Sequence, residues 1–294
     1  MGQPITSGVG TTPRLNYRGG STGGVAPTAE TGSRQPEPKP QEGGNADDIH
    51  NNNAASSDPL RRLMDDAAKM SQGVRQRLRP DNILVDGEFD PWPELEGAHK
   101  AVYAELYGKR ARSTVGRHVA HSQIRERQGL GNCGEMSTAV LRELVDYLLK
   151  HDMTDRRVDT IVRGDHEFVV IDPPRANGGS VPKDFSEWPK DSIIVDPWMG
   201  IVCPAQDYPT ALRAKAEVWA SENKTIGTTS KVVKNGRMEA EEKVVSPQEF
   251  VESVLNRDAM TSADAQALGS LESLKKSIAW HLEWIDDMYA RHSK

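Results

Sequence analysis

The first 57 residues of the chain are too poor in large apolar side chains to build a folded core. They hold ten of the 25 glycines and six of the 18 prolines, but only five residues of the types Ile, Leu, Val, Phe and Trp. Such a segment buries too little apolar surface to offset the entropy that ordering costs. We therefore expect residues 1–57 to be a disordered leader that can act as a secretion signal. Residues 58–294 are expected to form a single domain with helical extensions at both ends.

The composition argues against several classes of protein. The net charge of -6 and the pI of about 5.8 do not suit a nucleic-acid binder, which needs a basic face. The basic stretch at 109–127 is interpreted as a solvated connection. No segment reaches the roughly 18 consecutive apolar residues of a membrane span, and the N-terminus lacks the pattern of a secretory signal peptide. We expect export, if any, by a route independent of a signal peptide.

Four segments have the spacing of amphipathic helices. The pattern is clearest from Cys133 to Lys150, where apolar residues recur on one face. Asp58 followed by Pro59 predicts the start of another helix that runs through Met70. The remaining two helices are predicted at 94–107 and at 268–288, the latter with Ser262 or Asp264 as its N-cap.

Three short runs rich in β-branched residues predict strands, at 158–163, 167–171 and 193–195. The segment 172–190, which lies between the second and third runs, is rich in Pro and Gly and predicts a surface loop. Helices around a small antiparallel sheet give an α+β fold.

Cys133 stands in the sequence Gly-Asn-Cys-Gly-Glu, where a loop gives way to the predicted helix. The positive end of a helix dipole favours the thiolate, which is the form of cysteine that attacks carbonyls. Gly131 and Gly134 keep side chains away from the sulfur and admit a substrate, and the N–H groups of the first turn can bind an oxyanion. Taken alone, Cys133 could equally be a buried core residue.

Two residues on predicted strands favour the chemical interpretation. His166 begins the strand in Asp-His-Glu-Phe-Val-Val-Ile, and Asp196 ends the strand in Ile-Ile-Val-Asp-Pro-Trp. Thiolate catalysis needs a His that carries protons and a carboxylate or amide that orients its ring. We predict a catalytic triad of Cys133, His166 and Asp196. The other cysteine, Cys203, is expected to be inert.

The order of these motifs resembles the Cys-His-Asp enzymes of the papain-like and transglutaminase-like clan, in particular the cysteine-dependent effectors that bacteria deliver by type III secretion. The resemblance covers about residues 129–200. It implies a core in which a central helix carrying the Cys packs on a small antiparallel sheet. It also implies Cys133 as the nucleophile, His166 as general base and then acid, and Asp196 as the residue that orients His166.

Further roles follow from the resemblance and from the neighbouring residues. Gln128 and Asn132 are alternative oxyanion donors, because papain-like members use a Gln shortly before the Cys. Trp198 either walls the cleft or fills the core. His118 and His121 are three residues apart but lack an evident third ligand, so we expect neither a metal nor a cofactor.

The predicted function is hydrolysis of an amide on a host protein, and glutamine deamidation is the leading form. A cysteine protease or a transglutaminase with the same triad is an alternative, and so is a non-catalytic effector that binds a host protein. The start Met-Gly-Gln-Pro-Ile-Thr fits the pattern for N-myristoylation of Gly2. We expect a protein that is secreted into the host cytoplasm, where its partners are a substrate protein and, as an open alternative, an activating host protein. Membrane contact is expected only through a lipidated Gly2.

Overall fold

The computed structural model describes residues 58–80, 82–85, 97–108, 114–175, 180–234, 237–261 and 269–293. The predicted leader, with Gly2, lies outside the described residues. The helices are α1 (Pro59–Arg77), α2 (Gly97–Gly108), α3 (Thr114–Glu126), α4 (Cys133–Lys150), α5 (Tyr208–Ser221), α6 (Pro247–Asn256) and α7 (Leu271–His292). The strands are β1 (Ile83–Val85), β2 (Val158–Arg163), β3 (His166–Ile171), β4 (Ser180–Val181), β5 (Ile193–Asp196), β6 (Ile201–Pro204), β7 (Lys224–Lys234), β8 (Arg237–Val245) and β9 (Ala259–Thr261).

The larger sheet has six antiparallel strands in the order β4-β9-β2-β3-β5-β6. β2 and β3 form a tight hairpin in which Arg163 pairs with His166. β3 then pairs with β5, whose last residue is Asp196. All six residues of β3 are buried, because the strand lies inside the sheet and α4 packs against it. The sheet thus holds the backbones of His166 and Asp196 on neighbouring, buried strands.

The predicted α+β class is confirmed, and so are the elements on which the site rests. α4 has the predicted bounds, and the predicted strands appear as β2, β3 and β5. α1 begins at Pro59, where the side chain of Asp58 accepts a hydrogen bond of 3.0 Å from the backbone N–H of Leu60. Proline is favoured at this position because its missing N–H would have no acceptor inside the helix.

Three sequence predictions are wrong in part. The segment 172–190 contains β4 and a 3₁₀ turn at Phe185–Glu187, and Phe185 and Trp188 are buried. The basic stretch at 109–127 includes α3, where Arg125 is only 5% exposed. The last helix begins at Leu271 with Ser270 as its N-cap; the predicted caps, Ser262 and Asp264, lie outside the described residues.

A second sheet joins β1, β7 and β8 in antiparallel order. It was not predicted, because β7 and β8 are strongly polar and do not form an apolar run. Along the chain, α5 connects β6 of the larger sheet to β7 of the second sheet, and α6 connects β8 back to β9 of the larger sheet. The two helices pack on each other and on β7. Among the described residues, no helix is long and apolar enough to cross a membrane.

Candidate active site

Cys133 is the first residue of α4. Asn132 is the N-cap, and its backbone N–H donates a hydrogen bond of 2.8 Å to Oε2 of Glu135 within a capping box. The N–H groups of the first turn lack acceptors within the helix and point toward its positive end. The half-buried thiol therefore lies beside N–H groups that can stabilise developing negative charge on a substrate oxygen.

His166 and Asp196 form a buried pair next to this helix end. Nε2 of His166 donates to Oδ2 of Asp196 at 2.7 Å, and both side chains are 0% exposed. The two residues come from neighbouring strands, β3 and β5, so the sheet fixes their separation. A carboxylate that holds one ring nitrogen sets the tautomer and the orientation of the imidazole.

Tyr208 is a further member of the site that sequence reasoning missed. Its hydroxyl donates to Oδ2 of Asp196 at 2.7 Å, while the backbone N–H of Met199 donates to Oδ1 at 3.0 Å. The pKa of Tyr208 is well above its ordinary value because the phenol is buried and faces the carboxylate. Tyr208 therefore remains a donor and helps to hold Asp196 in place. No local pattern marks it in the sequence, since it stands at the start of α5, away from the three motifs.

The second nitrogen of His166 is left for the thiol. Nδ1 is buried and has no hydrogen-bond partner, whereas the Cys133 sulfur lies 3.6 Å from the backbone oxygen of Asp165, the residue before His166. Burial lowers the pKa of His166, but the charge of Asp196, its hydrogen bond and the neighbouring Cys133 outweigh this effect and raise the pKa to about 10. The site therefore favours an imidazolium between the Asp196 carboxylate and the Cys133 sulfur.

Aromatic rings enclose the imidazole. The ring centroids of Phe168, Trp198 and Phe250 lie 5.8, 5.4 and 5.6 Å from that of His166. Trp198 is 1% exposed, and its Nε1 donates to Oδ1 of Asn82 at 3.1 Å. Of the two roles considered for Trp198, its burial favours the core. The rings exclude water from the pair, which strengthens the interaction of its charges.

The predicted glycines lie at close contacts on both sides of Cys133. A Cβ atom on Gly131 would come within 3.2 Å of Leu78 and Glu135, and one on Gly134 would lie 3.3 Å from Oε2 of Glu167. Gly134 thus lets the first turn of α4 approach β3, where Glu167 follows His166. Both glycines serve the packing of the helix end.

The two oxyanion candidates have different surroundings. The side chain of Asn132 takes part in the capping box of α4. Gln128 lies in the turn before Leu130, and its Oε1 is buried without a hydrogen-bond partner. An amide oxygen cannot donate to an oxyanion, so these contacts assign no such role to either side chain, and the backbone N–H groups at the start of α4 are the donors placed beside Cys133.

A second cluster of ionisable residues lies beside the triad. Nδ1 of His121 is 3.3 Å from Glu135, and Nδ1 of His118 is 3.7 Å from Glu167. Burial and the nearby charge of Glu135 raise the pKa of Glu167 to about 8. Among the described residues, no group of three or more His, Cys, Asp or Glu is arranged to hold a metal ion. In the sequence, Glu167 is marked only as a charged residue that directly precedes the apolar run of β3.

Cys203 differs from Cys133 in its surroundings. It lies in β6, and burial together with Asp207 and Asp196 raises the pKa of its thiol to about 12. A thiol with this pKa is almost entirely protonated at neutral pH and is a poor nucleophile. Cys133 is thus the cysteine that is placed for chemistry.

Comparisons of the chain with protein-family models, with curated proteins and with solved structures found no match.

Proposed function

We propose that the chain is a cysteine-dependent amidohydrolase with a papain-like or transglutaminase-like core. The proposal rests on one observation. Nε2 of His166 is held by the buried carboxylate of Asp196, while Nδ1 of His166 has no hydrogen-bond partner and is left for Cys133 at the start of α4. A nucleophile, a base and an orienting carboxylate in this relation are the components that thiol-dependent acyl transfer requires.

The reaction begins with the thiolate of Cys133 and the imidazolium of His166. The sulfur attacks the amide carbon, and the resulting oxyanion accepts hydrogen bonds from N–H groups at the start of α4. As the C–N bond breaks, His166 transfers its proton to the leaving amine or ammonia, and a thioester with Cys133 remains. His166 then takes a proton from water, which attacks the thioester and releases the acid and the thiolate. Asp196 holds the ring in place throughout.

The same steps yield deamidation, proteolysis or transglutamination, depending on the amide and on the acceptor. Only part of Cys133 reaches solvent, and a glutamine side chain needs less room than a peptide backbone. This favours glutamine deamidation of a host protein, with proteolysis and transglutamination as alternatives. The proposed setting is a bacterial effector in the host cytoplasm, attached to a membrane only if Gly2 is myristoylated.

The proposal is tested by incubating the full chain and its Cys133→Ala variant with a eukaryotic lysate. Mass spectrometry then scores Gln-to-Glu conversion, new chain termini and new crosslinks. We expect Gln-to-Glu conversion with the unmodified chain and none with Cys133→Ala. Cys203→Ala is the matched control and should retain the activity. If all three products are absent with the unmodified chain, or if Cys133→Ala forms them equally, the proposal is wrong.

The alternative of a non-catalytic binding protein makes a different prediction about the thiol. If the site is catalytic, iodoacetamide labels Cys133 well below the pH at which an ordinary thiol reacts, and His166→Ala abolishes this reactivity. A binding protein that only retains the fold requires no such dependence on His166. Labelling of Cys133 at the rate of a small free thiol would favour the binding protein.

A further inference from the structure

Two side chains of α4 reach backbone oxygens on either side of His166. The hydroxyl of Ser137 donates a hydrogen bond of 2.9 Å to the backbone oxygen of Glu167. The sulfur of Cys133 lies 3.6 Å from the backbone oxygen of Asp165. Contacts from a single helix therefore bracket the residue that the proposed function pairs with Cys133.

The spacing of these contacts suits a helix that lies along a strand. Cys133 and Ser137 are four residues apart, so they share one face of α4 at a separation of about 6 Å along its axis. Asp165, in the turn before β3, and Glu167 are two residues apart, which an extended chain covers in roughly 7 Å. The two lengths are similar, so both contacts form in the same position of α4 along β3.

Ser137 is enclosed where it meets β3. It is 0% exposed, and Glu167 is 8% exposed. β5 pairs with β3 at Val169–Ile171, so the carbonyl of Glu167 precedes the stretch that β5 covers. A buried carbonyl needs a hydrogen-bond partner, and the hydroxyl of Ser137 supplies one. Removing the hydroxyl would weaken the attachment of α4 to the strand that carries His166.

The imidazole cannot follow a displaced helix. Nε2 of His166 is bound to Oδ2 of Asp196 at 2.7 Å, and both residues are 0% exposed on neighbouring strands. The sulfur of Cys133, in contrast, moves with the first turn of α4. The distance between the sulfur and Nδ1 of His166 therefore depends on where α4 lies along β3, and proton transfer between the two groups requires hydrogen-bond reach.

We propose that Ser137 is a positioning residue, which keeps the start of α4 in register with β3 so that Cys133 faces Nδ1 of His166. This role rests on the proposed function, because only acyl transfer requires a set distance between the thiol and the imidazole. Ser137 does not touch the reacting atoms and acts through the position of Cys133.

The test compares the pH profile of iodoacetamide labelling of Cys133 in the unmodified full chain and in Ser137→Ala. The substitution removes one hydroxyl and little volume, so the fold should be retained, and the melting temperature is measured in parallel. Loss of this buried hydrogen bond should slow labelling about fivefold under mildly acidic conditions. At about pH 9.5, where an ordinary thiol is itself ionised, the two rates should agree. A change in access to the thiol alone would alter the rate at every pH.

Ser192→Ala is the matched control. Ser192 is also 0% exposed and donates to a backbone oxygen, that of Asp172 at 2.6 Å, but this bond lies at the end of β3 away from His166. We expect Ser192→Ala to keep the profile of the unmodified chain. Identical profiles for the unmodified chain and Ser137→Ala would overturn the positioning role. Equal shifts in the two variants would also overturn it, because any lost buried hydrogen bond would then have the same effect.

The profile of the unmodified chain separates this role from the proposed function. If the unmodified chain is labelled well below the pH at which an ordinary thiol reacts and Ser137→Ala behaves alike, only the positioning role fails. The profile of an ordinary thiol in the unmodified chain would contradict the proposed chemistry and the positioning role together.

Discussion

The hydroxyl of Tyr208 and Nε2 of His166 both donate to Oδ2 of Asp196, each at 2.7 Å. One carboxylate oxygen thus accepts two buried hydrogen bonds, and the other accepts from the backbone N–H of Met199. Because all the groups are buried, Asp196 has little freedom to move away from the imidazole. Tyr208 is therefore interpreted as a positioning residue that acts on Cys133 through Asp196 and His166.

Tyr208→Phe removes one hydrogen bond and keeps the ring. A hydrogen bond to a charged group contributes about 1.5–3 kcal/mol. Because this free energy serves to hold Asp196, and through it His166, in position, we expect iodoacetamide to label Cys133 about tenfold more slowly under mildly acidic conditions in Tyr208→Phe. The full pH profile of labelling should shift toward that of an ordinary thiol, which a loss of stability alone would not cause.

Tyr147→Phe is the matched control for this substitution. Its hydroxyl also donates to a carboxylate, Oδ2 of Asp66, at 2.7 Å, but the pair joins α4 to α1, away from the triad. We expect a smaller loss of stability than for Tyr208→Phe, because the side chain of Asp66 is 32% exposed, and an unchanged labelling profile. If both variants, or neither, alter the labelling of Cys133, Tyr208 has no positioning role.

The two cysteines should react selectively. With its pKa raised to about 12, Cys203 has a thiolate fraction on the order of 10⁻⁴ at about pH 8. Brief treatment with iodoacetamide followed by peptide mass spectrometry should therefore find the label on Cys133 alone. Cys203→Ser should leave the rate and the extent of labelling unchanged. Labelling of Cys203 at a rate similar to that of Cys133 would contradict the environments described for the two thiols.

Gly116 is expected to resist replacement, although it lies within α3. A Cβ atom there would lie 1.9 Å from Nε2 of His281, whose ring is fixed to α7 by a hydrogen bond of 2.6 Å from Nδ1 to the oxygen of Ser277. We expect Gly116→Ala to lower the free energy of unfolding by about 1–3 kcal/mol, as overpacking does. Urea denaturation measures this change.

Gly73→Ala is the control, because a Cβ atom at Gly73 would meet only the end of Arg77, at 3.5 Å. Here the better helix propensity of Ala should raise the free energy of unfolding by about 0.5–1 kcal/mol. A stabilising Gly116→Ala would show that α3 and α7 do not pack as described.

The parts of the fold that could be predicted are those with a strong local pattern. The bounds of α4 follow from its apolar face and from the Gly-Asn-Cys start, and β3 and β5 follow from short β-branched runs. Cys133, His166 and Asp196 stand at the ends of these elements, so locating the elements also located the candidate site. Local pattern and packing agree in this part of the chain.

The parts that could not be predicted depend on contacts between distant segments. β7 and β8 are polar and pair mainly with each other, so they have no apolar signature. Tyr208 approaches Asp196 because the start of α5 packs beside β6, and Phe250 reaches His166 from α6. Ser270 was missed as the cap of α7 because Ser and Asp residues upstream were equally good candidates by their side-chain chemistry.

Glu167, whose carboxyl group is buried beside the triad, should make the free energy of unfolding depend on pH. Burial and Glu135 raise the pKa of Glu167 from an ordinary value of 4.5 to about 8, so the folded protein binds this proton more tightly than the unfolded chain. The resulting stability is fully present below about pH 4.5 and is lost as the pH rises through 8. Between these values, Glu167 should lower the free energy of unfolding by about 1.4 kcal/mol per pH unit.

Glu167→Gln keeps the shape of the side chain and removes this titration. Urea denaturation at several pH values should therefore show that the free energy of unfolding falls more steeply in the unmodified chain than in Glu167→Gln, with the difference growing toward about pH 8. Glu187→Gln, at an exposed position, should keep the steep decline of the unmodified chain. Parallel curves for the unmodified chain and Glu167→Gln would mean that Glu167 is already ionised in the folded protein. In that case, His118 and the start of α4 would have to stabilise its charge.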